Sequence, residues 1–228
     1  MEKIIPTKPV LILLYGFPGA GKTFFARQFA NAVQAAHLEQ DKIRAELFEK
    51  PKYSKQENYV VDHIMEYMTE EFLASNISVV FDLNALRSAQ RKALRAMAAS
   101  KGADTLVVWL QIDPDTAYGR SSKRDRRKSD DRYAYGYTVA QFKELATKMQ
   151  APKEKETFVV VSGKHTIESQ LSSVMKKLTE LKIIQHTAAS SRMIRPALIN
   201  LIPTNHQRPQ PDGGISGVQP ARRNITLR

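Results

Sequence analysis

Apolar positions along the chain follow two alternating patterns. Short continuous runs at Val10–Tyr15, Ser78–Asp82, Thr105–Ile112 and Thr157–Ser162, with a weaker one near Ala36–Glu39, have the length of buried strands. Between them, apolar residues recur three and four apart. Phe24, Phe25, Phe29 and Val33 follow the first run, and Ala45, Leu47 and Phe48 follow the second. Ser54 and Glu57 form a capping-box pattern ahead of a helix over Tyr59–Ala74. A further helix over Leu86 to Ser100 stops at Gly102, and Thr138 with Gln141 opens one over Phe142–Met149. After Thr166, Ile167, Leu171, Val174 and Leu178 keep core spacing. Strands alternating with helices predict an α/β fold: a mainly parallel five-stranded sheet with helices on both faces.

The loop between the first strand and the first helix turns this fold toward phosphate chemistry. Gly16, Phe17, Pro18, Gly19, Ala20, Gly21, Lys22 and Thr23 complete the pattern G-x-x-x-x-G-K-[ST], with a strand before it and a helix after it. Such a P-loop turns backbone N–H groups toward one anion, its lysine reaches the outer phosphates, and its Thr23 hydroxyl can ligate Mg²⁺. ATP and Mg²⁺ are therefore the expected ligands.

Bulk composition narrows the setting. The 228 residues suit one P-loop domain over 1–184 and a tail over 185–228 holding Pro196, Pro203, Pro209, Pro211 and Pro220, six arginines and little periodicity. The tail is expected to be mostly irregular, although 197–202 could pair as an edge strand. Cysteine is absent, which excludes a disulfide scaffold and thiolate metal sites. Apolar runs fall far short of the roughly 20 residues that span a bilayer, so a cytoplasmic protein without a membrane partner is expected. The net charge of +12 is concentrated in that tail and in a basic run from Arg120 to Arg132, which focuses anion binding at two places.

A P-loop alone does not separate a kinase from a GTPase or a motor. No Asn-Lys-x-Asp guanine-reading motif occurs. Asp82 ends the third run where a carboxylate can hold Mg²⁺, and it is followed by Leu83 and Asn84 rather than by a glutamate that would activate water. Asp41 follows the weak second strand, at the carboxyl edge of the sheet where ligands of α/β folds bind. There it could accept a proton from an acceptor hydroxyl, with Arg44 one turn on gripping a phosphate or carboxylate. The plainer alternative makes Asp41 a helix cap and Arg44 a solvated residue. The basic run, within a lid at about 118–137, is placed to cover the phosphates or, more plainly, to be a solvated charge run.

With these residues in hand, the chain resembles the P-loop kinases related to polynucleotide 5′-hydroxyl kinase, including zeta-toxin-like and chloramphenicol-phosphotransferase-like enzymes. The motifs are the P-loop, Asp41-x-x-Arg44, Asp82-x-Asn84 with Arg87, and Arg120-Ser121-Ser122-Lys123-Arg124. The resemblance implies that Asp41 is the general base, that Arg44 orients the acceptor with Asn84 and Arg87 beside it, and that Arg124, with Arg120, stabilises the leaving phosphates.

Three functions stay open. The first is an ATP-dependent kinase acting on a nucleic-acid 5′-hydroxyl or a nucleoside. The second is a small-molecule kinase for an antibiotic or sugar nucleotide, and the third a nucleotide-switched nucleic-acid-binding ATPase. Tyr133, Tyr135 and Tyr137 could stack on bases, or pack the lid against its neighbour. The five histidines are scattered without metal-ligand spacing and receive no role. The pattern does not indicate an oligomeric state.

Overall fold

The computed structural model describes residues 3–124 and 132–185, all within the first of two units of the chain, Met1–Ala197. At its centre, β1 (Val10–Tyr15), β2 (Ala35–Glu39), β3 (Ser78–Asn84), β4 (Asp104–Gln111) and β5 (Phe158–Ser162) form a parallel sheet in the order β2-β3-β1-β4-β5. The helices are α1 (Lys22–Ala32), α2 (Gln40–Leu47), α3 (Lys55–Ala74), α4 (Ser88–Ser100), α5 (Pro114–Ser122), α6 (Val139–Thr147) and α7 (Ile167–Glu180).

Central β1 shows why its sequence reads as unbroken apolar residues. Val10, Ile12 and Leu14 point into a core with Phe25 and Phe29 of α1 and Val174 and Leu178 of α7. Leu11, Leu13 and Tyr15 point the other way, onto Val61, Met65 and Leu73 of α3 and Leu94 of α4. Both faces are covered, as parallel sheets require. Each fully buried leucine or isoleucine contributes about 1.5–3 kcal/mol. Edge strand β5 is apolar yet leaves Val160 43% exposed.

Helix boundaries follow their caps more closely than the apolar periodicity. Thr138 and Gln141 make the complete capping box of α6. Ser54 accepts from the Glu57 N–H, but the Glu57 carboxylate turns back to the N–H groups of Lys52 and Tyr53, so this box is half formed and pins the preceding loop instead. Helix α3 accordingly starts at Lys55, ahead of the apolar stripe. The start of the anticipated lid is the ordered helix α5, with Asp113 as cap and Pro114 in its first turn.

Two features aim the site. Strands β1 and β3 slip register between Leu13 and Leu14, so that Leu14 pairs with Asn84, past Asp82 and Leu83. Such irregularities re-aim side chains. Behind them, fully buried Arg91 of α4 grips Glu156 with Nε and Nη2 at 2.7 and 2.9 Å, and its Nη1 donates to the carbonyls of Ala85 and Gln150. This ties the segment after β3 to the one before β5. The Pro- and Arg-rich tail from 186, its anticipated edge strand, and Arg126 and Arg127 lie outside the described residues.

Candidate active site

The P-loop connects β1 to α1 by a path that only glycine accommodates at key points. Gly19 has φ +86°, and a Cβ there would lie 2.1 Å from the Ala117 carbonyl oxygen of α5. Gly21 takes the left-handed N-cap of α1, φ +93°, and makes no side-chain cap hydrogen bond to the first turn. The Asn84 amide braces the loop's entrance, donating to the Gly16 carbonyl at 2.7 Å and accepting from the Gly16 N–H at 3.3 Å. Lys22 curls over the loop, its Nζ donating to the carbonyls of Gly16 and Phe17 at 2.9 and 3.0 Å. Burial pulls the ammonium down to about 8, with Asp82 opposing that shift and Arg124 adding to it.

At the neighbouring strand ends, Glu39 of β2 stands opposite Asp82 of β3. His37, two residues before Glu39 and on the same face, has Nε2 3.0 Å from Asp82 Oδ2, and Arg27 of α1 reaches Glu39 at 3.2 Å. The ligating atoms of His37, Glu39 and Asp82 lie within 4.8 Å of one another. Sequence spacing does not single out His37; parallel pairing of β2 with β3 is what puts it beside Asp82. Thr23 and Asp82 line one cavity, and a hydroxyl with a carboxylate is the hard oxygen donor set that suits Mg²⁺.

That cavity, about 380 Å³, runs over Gly19, Gly21 and Lys22 to Arg120, Arg124 and Tyr137. A second, of about 630 Å³, is lined by Arg44, Tyr53, Asn58, Asp62, Arg87 and Tyr135 among others. Gln40, Asp41, Leu83, Asn84 and Tyr137 belong to both linings. Asp41 therefore stands in a shared wall. It lies in the first turn of α2, where Glu39 is the N-cap, so the capping alternative for Asp41 does not hold. Burial raises its carboxyl to about 6, Arg44 and Arg124 opposing the shift and Asp82 and Glu39 adding to it. Burial, with Asp41 contributing, likewise pushes the Tyr137 hydroxyl up to about 12 and keeps it protonated.

Arg44 is not solvated: it is 1% exposed. Its Nη2 donates to Asn58 Oδ1 at 2.7 Å, while buried Nε and Nη1 have no hydrogen-bond partner, and Glu57 lies 3.6 Å from Nη1. A buried donor without an acceptor is unfavourable unless something else supplies one. Arg87, the N-cap of α4, is exposed at the rim of the second cavity. Arg120 donates to the Gly163 carbonyl at 2.8 Å and Arg124 to the Tyr135 carbonyl at 3.0 Å. Of the P-loop residues, Phe17 instead packs on Phe142, ring centroids 5.7 Å apart, and Ala20 is buried in the core. Tyr135 packs on Tyr137 and on Tyr53, the plainer of the two readings for those two, whereas the Tyr133 ring lies under Arg132, 5.4 Å from guanidinium carbon to centroid. No helix among the described residues is long and apolar enough to cross a membrane.

The family model described as "AAA domain" matches residues 11–152. No curated protein matches the chain. Among solved structures, a gluconokinase from Sinorhizobium meliloti 1021 is 17% identical over 79% of this chain and 95% of that one, with a TM-score of 0.55. Kti12 from Chaetomium thermophilum, in complex with ADP-AlF3, is 13% identical over 78% and 100%, TM-score 0.57. The Mycobacterium tuberculosis APS kinase, in complex with AMPPNP and APS, is 16% identical over 76% and 99%, TM-score 0.54. At these identities the likeness is one of fold.

Proposed function

The chain belongs to the AAA domain family, and from that premise we propose that it is an ATP-dependent kinase transferring the γ-phosphate to a hydroxyl acceptor. One observation carries this reading: Asp41 lies in the wall common to both cavities, so a single carboxylate faces donor space on one side and acceptor space on the other. With a carboxyl raised to about 6, it is a competent base near neutral pH.

In the proposed reaction the acceptor oxygen forms a bond to the γ-phosphorus while the bond to the β,γ-bridging oxygen breaks, ADP leaves, and the acceptor proton passes to Asp41. Lys22 exchanges its bonds to the Gly16 and Phe17 carbonyls for the outer phosphates. Arg120 and Arg124, lining the same cavity, compensate charge that grows on the transferring and leaving groups. Mg²⁺, which Thr23 and Asp82 would hold, supplies neutralisation of phosphate charge. Arg44 and Arg87 orient the acceptor through an anionic group: both line the second cavity, and Arg44 Nε and Nη1 lack a hydrogen-bond partner, Nη1 having only the longer ion pair to Glu57.

The second cavity would take the reacting end of the acceptor. Its volume of about 630 Å³ is that of a small-molecule site, which supports a nucleotide end or a similarly sized metabolite that carries an anionic group. The polynucleotide-kinase-like and antibiotic-kinase readings both fit that bound. The switched-ATPase reading is less well supported, since Leu83 follows Asp82 and a carboxylate stands at the acceptor side instead.

Incubation with γ-labelled ATP and a panel of 5′-hydroxyl oligonucleotides, nucleosides, nucleotides and sugars tests the proposal. Label should move to at least one hydroxyl, and Asp41→Asn should lose that transfer. Transfer to no acceptor, with ATP hydrolysis unchanged in Asp41→Asn, would sink the kinase reading.

A further inference from the structure

Four residues form a continuous line from the acceptor cavity to the donor cavity, the first two links through side chains and the last through a backbone carbonyl. Arg44, fully buried, lays its guanidinium over the Tyr53 ring, 4.7 Å from carbon to centroid. Tyr53 sits in the loop between α2 and α3 with φ +55°, a conformation that bulky L-residues rarely adopt. The Glu57 carboxylate holds that loop by accepting from the N–H groups of Lys52 and Tyr53. In this conformation the Tyr53 ring meets Tyr135, centroids 4.3 Å apart. Tyr135 is fixed from two further sides: Tyr137 packs edge-on at 4.8 Å, and the hydroxyl accepts from Gln141 Nε2 of α6 at 2.9 Å. Its carbonyl, finally, accepts from Arg124 Nη1 at 3.0 Å.

Each end of this line is a cation facing a different cavity. Arg44 lines the second and Arg124 the first. Two tyrosines packed only to fill space would not need a strained backbone at one of them, nor would the other need to present its carbonyl to the arginine above the P-loop. We propose that Tyr53 and Tyr135 are positioning residues that couple the acceptor-side arginine to the donor-side arginine, so that the seating of Arg44 sets the placement of Arg124. The inference rests on the phosphotransferase reading, in which both arginines serve one reaction. It adds that a change at Arg44 is felt by the nucleotide through an aromatic contact, and not solely through the field of its charge. Such a device ties a competent donor site to a correctly seated acceptor, which limits transfer to water.

A double-mutant cycle separates the contact from the field. The measured quantity is the affinity for the fluorescent, non-hydrolysable analogue mant-AMPPNP with Mg²⁺, in wild type, Arg44→Ala, Arg124→Ala and the double variant. The loss caused by Arg44→Ala should shrink by about threefold or more once Arg124 is absent, the signature of coupled rather than independent sites. The cycle is then repeated on Tyr53→Gly and Tyr53→Phe. Glycine suits φ +55°, so Tyr53→Gly should keep the melting temperature while abolishing the coupling; Tyr53→Phe retains the ring and should retain it. Additive losses in wild type, or a coupling that survives in Tyr53→Gly, would overturn the proposal, the second outcome assigning the effect to charge alone. Failure of wild type to bind mant-AMPPNP would overturn the nucleotide reading and the coupling with it, whereas tight binding with additive losses removes the coupling and leaves that reading standing.

Discussion

His37 Nε2 lies 3.0 Å from Asp82 Oδ2, and the two residues reach each other from adjacent parallel strands. The imidazole fixes which way one carboxylate oxygen points, and Arg27 holds the neighbouring Glu39. Partners behind a metal-binding carboxylate typically change metal affinity by roughly 10–100-fold when removed. With Mg²⁺ held at Asp82 as proposed, His37→Ala should raise the Mg²⁺ concentration for half-maximal transfer by about 10-fold, while His37→Gln, which keeps a donor, should lose less. Mn²⁺ binding followed by electron paramagnetic resonance with AMPPNP reads the same effect without an acceptor. An unchanged metal requirement in His37→Ala would remove His37 from the site.

His37 also marks what the chain conceals when read in one dimension. The P-loop, Asp41 and Asp82 were legible because each is set by local order: a glycine-rich turn, a residue just past a strand, a residue at a strand's end. Alternating strands and helices gave the sheet for the same reason. His37 beside Asp82 needs the pairing of β2 with β3, and the Arg91–Glu156 pair spans 65 residues; neither has a local signature. Helix α5 has one, Asp113-Pro114 as cap and first turn, and its C-terminal half falls within the expected lid. Arg44 shows the reverse case, since nothing in its spacing says that a charged residue in a short helix is 1% exposed.

Asp41 makes a prediction on pH and a second on stability. Its carboxyl is raised to about 6 by burial, so kcat/KM for transfer should rise as pH increases through about 6 and level off above it. Asp41→Asn should lose that limb together with most of its activity. The folded-state value lies above the unfolded one, so the folded protein binds the extra proton and stability falls as pH rises across that interval. Asp41→Asn should consequently melt higher than wild type at pH 7.5 and no higher at pH 4. Scanning calorimetry at the two values checks this, and a variant destabilised at pH 7.5 would contradict it.

Gly19 and Gly21 predict a graded pair. Both have positive φ, but a Cβ on Gly19 would collide with the Ala117 carbonyl at 2.1 Å, whereas a Cβ on Gly21 meets nothing within 4 Å. Gly21→Ala pays only for its backbone, about 1–2 kcal/mol. Gly19→Ala must also push the P-loop away from α5, and should lose ATP affinity by at least a further order of magnitude. Titration with mant-ATP ranks the two. Equal losses would mean that the contact between the loop and α5 does not shape the phosphate site.

Arg91 and Glu156 carry the last prediction. Glu156 is held below the ordinary glutamate range chiefly by its hydrogen bond to Arg91, against the opposing effect of burial. A depressed carboxylate adds stability above its unfolded pKa and loses it as pH falls through the folded one. Wild type should therefore lose stability below about pH 4.5 more steeply than Glu156→Gln, and the gap between their melting temperatures should close there. Arg91→Met leaves the Glu156 carboxylate buried and unpaired, and should cost about 3–5 kcal/mol at pH 7 by denaturant unfolding. Removing both charges in Arg91→Met/Glu156→Met should recover part of that loss but not all, because Arg91 also satisfies the Ala85 and Gln150 carbonyls. Full recovery in the double variant would mean that those carbonyls find other donors, and that Arg91 is held in place by its charge partner alone.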